Sequence, residues 1–230
     1  MVFRRSFFRI SFFFSLCFSF VVLLSMILAA PARAMENMEI RGPGSDMVPS
    51  YFRVFDVGAS GSLKIRSEPV AGGMVIGEYA LDAGPVEILK IVDGWGYVIA
   101  GEGNGWVNMS HLLEIPVPRV GRSQLPEGLV CIGNEPFWNI EISAETIAYS
   151  RLDEVDQDFS IIEAGGYDGR AGADGFVQAS GVDSILYALV SARQCSDGMS
   201  DRNYGWWVNL LRTSASGTNA VTGCCSISVN

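Results

Sequence analysis

The sequence predicts an all-β protein in which a small barrel is followed by a second, disulfide-stabilised antiparallel β-barrel or sandwich. Short strand-like runs separated by Gly, Asp and Asn fill residues 51–115, a pattern typical of small barrels. Alternating apolar and polar residues with Gly-rich turns return over residues 129–230. Neither module contains a stretch in which apolar residues recur every three to four positions, as they would in a long amphipathic helix.

The first 34 residues are predicted to be a secretory signal peptide. Arg4, Arg5 and Arg9 precede an apolar run over residues 10–30, and an Ala-x-Ala site ends at Ala34. A basic head, an apolar middle and small residues at the exit are the features of such a signal. The alternative is an uncleaved anchor, because about 20 apolar residues can span a bilayer. We expect cleavage after Ala34 and a periplasmic product, with membrane attachment only if the signal remains.

Charge excludes some partner classes. The chain has 16 basic and 25 acidic residues. The signal segment holds four of the basic residues and no acid, which leaves 12 basic against 25 acidic residues and a formal charge of −13 after cleavage. Such a balance argues against nucleic acid or an anionic membrane surface as the partner.

Two segments interrupt the strand pattern and predict the domain boundaries. Residues 35–50 contain Gly42-Pro43-Gly44 and no apolar period, and residues 116–128 carry three prolines. Both compositions are typical of linkers. The predicted organisation is a signal peptide (1–34), a linker (35–50), a first module (51–115), a second linker (116–128) and a second module (129–230).

Short motifs run in order through the first module: Leu63-Lys64-Ile65-Arg66-Ser67-Glu68-Pro69, Val75-Ile76-Gly77, Gly94-Trp95-Gly96-Tyr97-Val98, Gly105-Trp106-Val107-Asn108 and Leu112-Leu113. Their order and spacing resemble the bacterial SH3 domain of cell-envelope proteins, over nearly the whole of residues 51–115. The resemblance implies an SH3-like small barrel. It also implies binding of peptides, including the stem peptides of peptidoglycan.

Under that resemblance, Trp95, Tyr97 and Trp106 are the candidate ligand-binding residues of the first module. Aromatic side chains suit a shallow groove because they offer a large contact area at low entropic cost. The alternative is that the two tryptophans cap a small core, which needs every large apolar group it has. His111, in the turn before the last strand, is expected to make a surface hydrogen bond and nothing more.

The second module carries three further motifs: Gly133-Asn134-Glu135-Pro136-Phe137-Trp138, Cys195-Ser196-Asp197-Gly198-Met199-Ser200-Asp201 and Gly223-Cys224. They resemble a family of bacterial envelope proteins and lipoproteins with a small β-barrel domain and no established activity. Where that family has Tyr-Pro-Tyr after the acidic turn, this chain has Tyr204-Gly205-Trp206. The resemblance implies fold and compartment more than function.

Four cysteines remain after signal removal, and an even number in an exported chain predicts disulfides. Cys224 and Cys225 should point to opposite faces of a strand, so each is expected to bond to a different partner. Three pairings are open in principle. We favour Cys195 with Cys224 and Cys131 with Cys225.

Two features of the second module are candidates for binding. Trp206 and Trp207 should point to opposite faces of a strand, and we assign Trp206 as a ligand-binding residue. The bend after Glu135 could bring that acid towards the turn of Asp197 and Asp201. Three acids fall short of the six or more oxygen ligands of a calcium site, so no metal or other cofactor is predicted.

These features favour a non-enzymatic, exported binding protein of the cell envelope. Its first module would recognise a peptide or a peptidoglycan component, and its second would be a further interaction unit, with an envelope protein as a candidate partner. No catalytic residue is assigned, because all mature cysteines are expected in bridges and His111 lies in the other module. The alternatives are a cell-wall hydrolase using Glu135 with Asp197 or Asp201, and a regulator of an envelope enzyme.

Overall fold

The computed structural model describes residues 49–58, 61–152, 154–169 and 172–227, which all belong to one compact unit. The signal peptide, its cleavage site and the first linker up to residue 48 lie outside the described residues. In the part that is described, no helix is long and apolar enough to cross a membrane.

The first module consists of eight short strands in two antiparallel sheets, with the orders β4-β1-β8 and β3-β2-β7-β6-β5. A 3-10 turn, Met109–His111, precedes the last strand. The strands are β1 (Ser50–Val54), β2 (Ser62–Arg66), β3 (Val75–Ala80), β4 (Val86–Ile88), β5 (Lys90–Val92), β6 (Trp95–Ala100), β7 (Gly103–Asn108) and β8 (Leu112–Glu114).

Alternation along these strands separates a core from an outer face. Leu63 and Ile65 of β2, Val98 of β6 and Val107 of β7 are buried in one apolar cluster with side chains of β1, β4 and β8. Their neighbours in sequence point outward, because successive side chains of a strand lie on opposite faces. The outer face of β2, β6 and β7 is therefore left for polar and aromatic residues.

The second module is a closed eight-stranded antiparallel barrel, in the order β10-β11-β12-β13-β14-β15-β16-β9. The prediction of an all-β protein with a disulfide-stabilised barrel is confirmed. The strands are β9 (Leu129–Asn134), β10 (Phe137–Ile142), β11 (Thr146–Arg151), β12 (Gln157–Gly166), β13 (Gly175–Ser180), β14 (Ser184–Ser196), β15 (Asn203–Ser214) and β16 (Gly217–Ile227).

Strand β10 follows the predicted alternation, with Trp138, Ile140 and Ile142 buried inside the barrel. Trp138 packs against glycines on the neighbouring strands. A Cβ atom at Gly133 would lie 2.1 Å from Trp138 Nε1, and one at Gly223 would lie 2.8 Å from Cζ2 of the same indole. Both positions therefore need glycine to admit the tryptophan.

The disulfides have the predicted pairing. Cys131 and Cys225 face each other across β9 and β16 and bond inside the barrel core. Cys195 bonds to Cys224 on the outside of the barrel, beside Tyr204. The opposite orientation of the two adjacent cysteines, on which the prediction depended, is confirmed.

Residues 116–128, predicted as a linker, form an ordered cap on the barrel. Val120 and Leu125 are fully buried in the barrel core. The Ser123 hydroxyl donates to the Val120 carbonyl at 2.7 Å and accepts from the Leu125 amide at 3.1 Å. The prolines interrupt the strands, but two apolar side chains keep the segment packed.

The β14–β15 turn joins the barrel to the first module through polar contacts. The Arg202 guanidinium donates to the Gly101 carbonyl at 2.6 Å and to a Glu102 carboxylate oxygen at 3.1 Å. The amide of Asn203 donates to Asn104 Oδ1 at 2.7 Å, and Asn104 Nδ2 donates back to the Asn203 carbonyl at 3.1 Å. The two modules share no sheet, and these two hydrogen bonds between Asn104 and Asn203 link them instead.

A buried carboxylate forms a second joint. Glu87 Oε1 accepts from the indole Nε1–H of Trp206 at 3.0 Å and from the Tyr51 hydroxyl at 3.2 Å. Its other oxygen, Oε2, is buried and has no hydrogen-bond partner among the described residues. Burial raises the pKa of Glu87 to about 7, against the opposing effect of the hydrogen bonds from Trp206, Tyr51 and the Ile227 amide.

Candidate ligand-binding sites

The three aromatic residues predicted to bind a ligand lie on the outer face of the five-stranded sheet. Trp95 and Tyr97 are two apart on β6, and Tyr97 is directly opposite Trp106 on β7. The Tyr97 and Trp106 ring centroids are 4.8 Å apart, with the planes tilted by 48°. All three side chains are partly exposed, and none belongs to the core cluster. Ligand binding and capping of the core both stay predictions for the two tryptophans.

A lysine that the sequence analysis missed completes this arrangement. Lys90, on the neighbouring strand β5, is opposite Tyr97. Its Nζ lies 4.5 Å from the Tyr97 ring centroid and 5.6 Å from that of Trp106. Both distances are within the range of cation–π attraction. Arg66 of β2 lies opposite Trp106. We call the set of Arg66, Lys90, Trp95, Tyr97 and Trp106 the aromatic face.

A cavity of about 160 Å³ opens beside Trp95. Arg66, Asn108 and His111 are among its lining residues. Arg66 lies opposite Trp106 and donates to the Gly73 carbonyl at 2.7 Å. His111 Nδ1 lies 2.8 Å from the Asp56 carbonyl oxygen, which confirms the hydrogen-bonding role predicted for this histidine.

The aromatic face has a charge opposite to that of the chain as a whole. Lys90 lies over the rings of Tyr97 and Trp106, and Arg66 is the cross-strand neighbour of Trp106, in a protein with a formal charge of −9. Lys64, also at the cavity, forms an ion pair with Glu78 of β3. Cations beside partly exposed aromatic rings suit a ligand that combines carboxylates with apolar groups.

Trp206 is not the exposed tryptophan, and its assignment as a ligand-binding residue is wrong. Its side chain is 1% exposed and lies within the barrel core. Trp206 of β15 lies directly opposite Cys225 of β16, whose side chain also points inward. Because neighbouring side chains alternate along the strand, the partly exposed indole is that of Trp207. The Arg193 guanidinium lies 4.5 Å from the centroid of the Trp207 ring.

Asp197 organises the turn of the second motif. Its Oδ1 accepts from the amides of Met199 and Ser200, and its Oδ2 accepts from the hydroxyls of Ser200 and Tyr204. Gly198 has a φ of 72°, a backbone conformation that favours glycine. Burial raises the pKa of Asp197, but these hydrogen bonds outweigh that effect and hold the pKa below its ordinary value. The carboxylate is thus ionised and engaged within its own turn.

The three motif acids do not converge on one site. Glu135 and Asp197 line the same cavity, as the sequence suggested. Asp201 is not among its lining residues, and the Asp201 amide donates to the Glu102 carbonyl of the first module at 3.1 Å. The turn therefore places Asp197 at the cavity of Glu135 and directs Asp201 towards the first module. Among the described residues, no group of three or more His, Cys, Asp or Glu could hold a metal ion.

The first and second motifs of the barrel meet at this cavity. It has a volume of about 390 Å³ and is lined by residues of the β9–β10 hairpin and the β14–β15 turn, together with Trp207 and Thr222. Asn134 connects the two motifs, since its Nδ2 donates to the Asp197 carbonyl at 2.6 Å. Pro136 and Phe137 line a second cavity on the other side of the hairpin.

Comparisons with protein-family models, with curated proteins and with solved structures give no match. The resemblances to the bacterial SH3 domain and to the envelope-protein family stay predictions.

Proposed function

We propose that this protein is an exported binding protein of the cell envelope, and that its aromatic face recognises a carboxylate-bearing peptide such as a peptidoglycan stem peptide. The observation that carries the proposal is the contact between the tilted rings of Tyr97 and Trp106, with Lys90 beside both. The barrel serves as a second interaction unit.

The chemistry of the aromatic face supports a peptide ligand. The rings of Trp95, Tyr97 and Trp106 offer flat apolar area to side chains of the peptide. Lys90 and Arg66 are placed to attract its carboxylates, and a guanidinium binds a carboxylate through two parallel hydrogen bonds. The proposal needs no cofactor.

The disulfides support the compartment. Cys131–Cys225 and Cys195–Cys224 indicate an oxidising, extracellular or periplasmic environment. The periplasm in particular, and cleavage after Ala34, are proposed from the signal sequence. An exported protein would meet peptidoglycan in that compartment.

Replacement of Trp106 by alanine is expected to weaken binding to peptidoglycan by about tenfold, because tryptophans that become covered by the ligand often dominate the binding energy. The measurement is co-sedimentation of residues 35–230 with insoluble peptidoglycan over a range of protein concentrations. Trp207→Ala is the matched control, since Trp207 is also a partly exposed tryptophan but belongs to the barrel. Circular dichroism checks that both variants keep the fold.

Lys90→Glu tests the same face without removing a ring. Lys90 is exposed, so reversal of its charge should leave folding intact while it weakens sedimentation and reduces the dependence of binding on salt. Sedimentation of Trp106→Ala and Lys90→Glu equal to that of the wild type would refute a ligand site on the aromatic face.

A further inference from the structure

Two cavities of the barrel meet at the β9–β10 hairpin, which carries Glu135. The cavity of about 390 Å³ lies on one side of the hairpin, and a cavity of about 320 Å³ lies on the other. Asn134 and Glu135 line both cavities. We call the two together the hairpin groove.

Exposed apolar side chains flank this groove. Phe137 is 52% exposed and Leu152 is 78% exposed at the second cavity, and Met199 is 70% exposed at the first. Clustered exposed apolar residues, unlike scattered ones, mark sites of interaction. Trp207 adds a partly exposed aromatic surface to the first cavity.

Glu135 supplies an uncommitted negative charge at the centre of the groove. Its side chain is exposed and makes no hydrogen bond or ion pair with any described residue. The neighbouring charges are engaged elsewhere: Asp197 is held by its own turn, and Arg151 pairs with Glu154 at 3.1 Å. A single acid between apolar flanks complements a single cation between apolar groups.

We propose that the hairpin groove binds a segment of a partner protein in which one arginine or lysine lies between apolar residues. The cationic side chain would pair with Glu135, and the flanking side chains would pack on Phe137 and Leu152 to one side and on Met199 and Trp207 to the other. This deepens the proposal that the barrel is a second interaction unit. It rests on that part of the proposed function and is independent of the ligand of the aromatic face.

The test uses the tripeptide acetyl-Phe-Arg-Leu-amide and its neutral counterpart acetyl-Phe-Gln-Leu-amide. Each is titrated into 15N-labelled protein (residues 35–230) at low salt, and the indole Nε1–H signal of Trp207 is followed by NMR. The arginine peptide is expected to shift this signal in a saturable way. The Glu135→Gln variant is expected to bind it at least about threefold more weakly, the size of a partly screened ion pair.

Matched controls lie elsewhere on the barrel. Glu145→Gln makes the same charge change at an exposed position in the β10–β11 turn, and Val182→Ser matches Leu152→Ser at a side chain that is 97% exposed. Leu152→Ser should weaken binding, and both controls should bind as the wild type does. All four positions are exposed, so the variants are expected to fold.

Several results would overturn the inference: no shift of the Trp207 signal, equal binding of the arginine and glutamine peptides, or equal binding by wild type and Glu135→Gln. A shift of the Trp207 signal with protein concentration alone, or with a neutral oligosaccharide in place of the peptide, would also overturn it in favour of another occupant. Failure here is distinguishable from failure of the aromatic face, because that face is reported by the signals of Trp95 and Trp106.

Discussion

Removal of the Cys131–Cys225 disulfide by the double change C131A/C225A is expected to lower the free energy of unfolding by about 4 kcal/mol. The bond joins residues separated by 94 positions, and it therefore restricts the unfolded chain strongly. Both cysteines are fully buried in the barrel core, so loss of the sulfur atoms also leaves space there. The measurement is urea unfolding without reductant.

The pair C195A/C224A is the comparison. That bond closes a separation of 29 residues, and its removal is expected to cost about 3 kcal/mol. A loss below about 1 kcal/mol for C131A/C225A would contradict the view that this bond holds the barrel closed between β9 and β16.

The second large effect concerns pH and Glu87. Burial raises the pKa of Glu87 from 4.5 to about 7. Between these values the unfolded chain is ionised at this position while the folded chain holds the proton, so the folded state binds more protons. The contribution of Glu87 to the free energy of unfolding is full below pH 4.5, declines as the pH rises, and is lost above pH 7. The shift corresponds to about 3 kcal/mol.

The free energy of unfolding is measured at pH 4.5 and pH 8 for the wild type, Glu87→Gln and Glu145→Gln. Other groups also titrate in this range, so the difference between wild type and Glu87→Gln is the informative quantity. On going from pH 4.5 to pH 8, the wild type is expected to lose about 3 kcal/mol relative to Glu87→Gln. The exposed control Glu145→Gln should follow the wild type. Parallel profiles for wild type and Glu87→Gln would contradict the raised pKa.

The sequence predicts correctly those features that depend only on the alternation of side chains between the two faces of one strand. The opposite faces of Cys224 and Cys225 identify their different partners, and the same rule separates Trp206 from Trp207. Alternation alone could not say which tryptophan enters the barrel, because that depends on the register with β16. The structure decides it by placing Trp206 opposite Cys225.

The alternation rule does not predict burial correctly where both faces of a strand are covered by other parts of the protein. In β4, Val86, Glu87 and Ile88 are all buried, because the barrel residue Trp206 covers the face that would otherwise meet solvent. Contacts between modules cannot be read from a local pattern. The same reason explains why the hydrogen bond from the Asp201 amide to Glu102 of the first module was not predicted.

The aromatic face was predictable in part. Trp95, Tyr97 and Trp106 follow from the motifs of β6 and β7. Lys90 was missed because β5 is only three residues long and carries no alternating pattern. Its role depends on the pairing of β5 with β6, which places it opposite Tyr97.

The most direct test of the central claim is an NMR titration of 15N-labelled protein (residues 35–230) with a soluble peptidoglycan stem peptide. The five tryptophans give five indole Nε1–H signals. The account predicts saturable shifts of the Trp95 and Trp106 signals, while those of the buried Trp138 and Trp206 stay in place. Saturable binding that leaves both Trp95 and Trp106 unshifted, or no binding at all, would contradict the account.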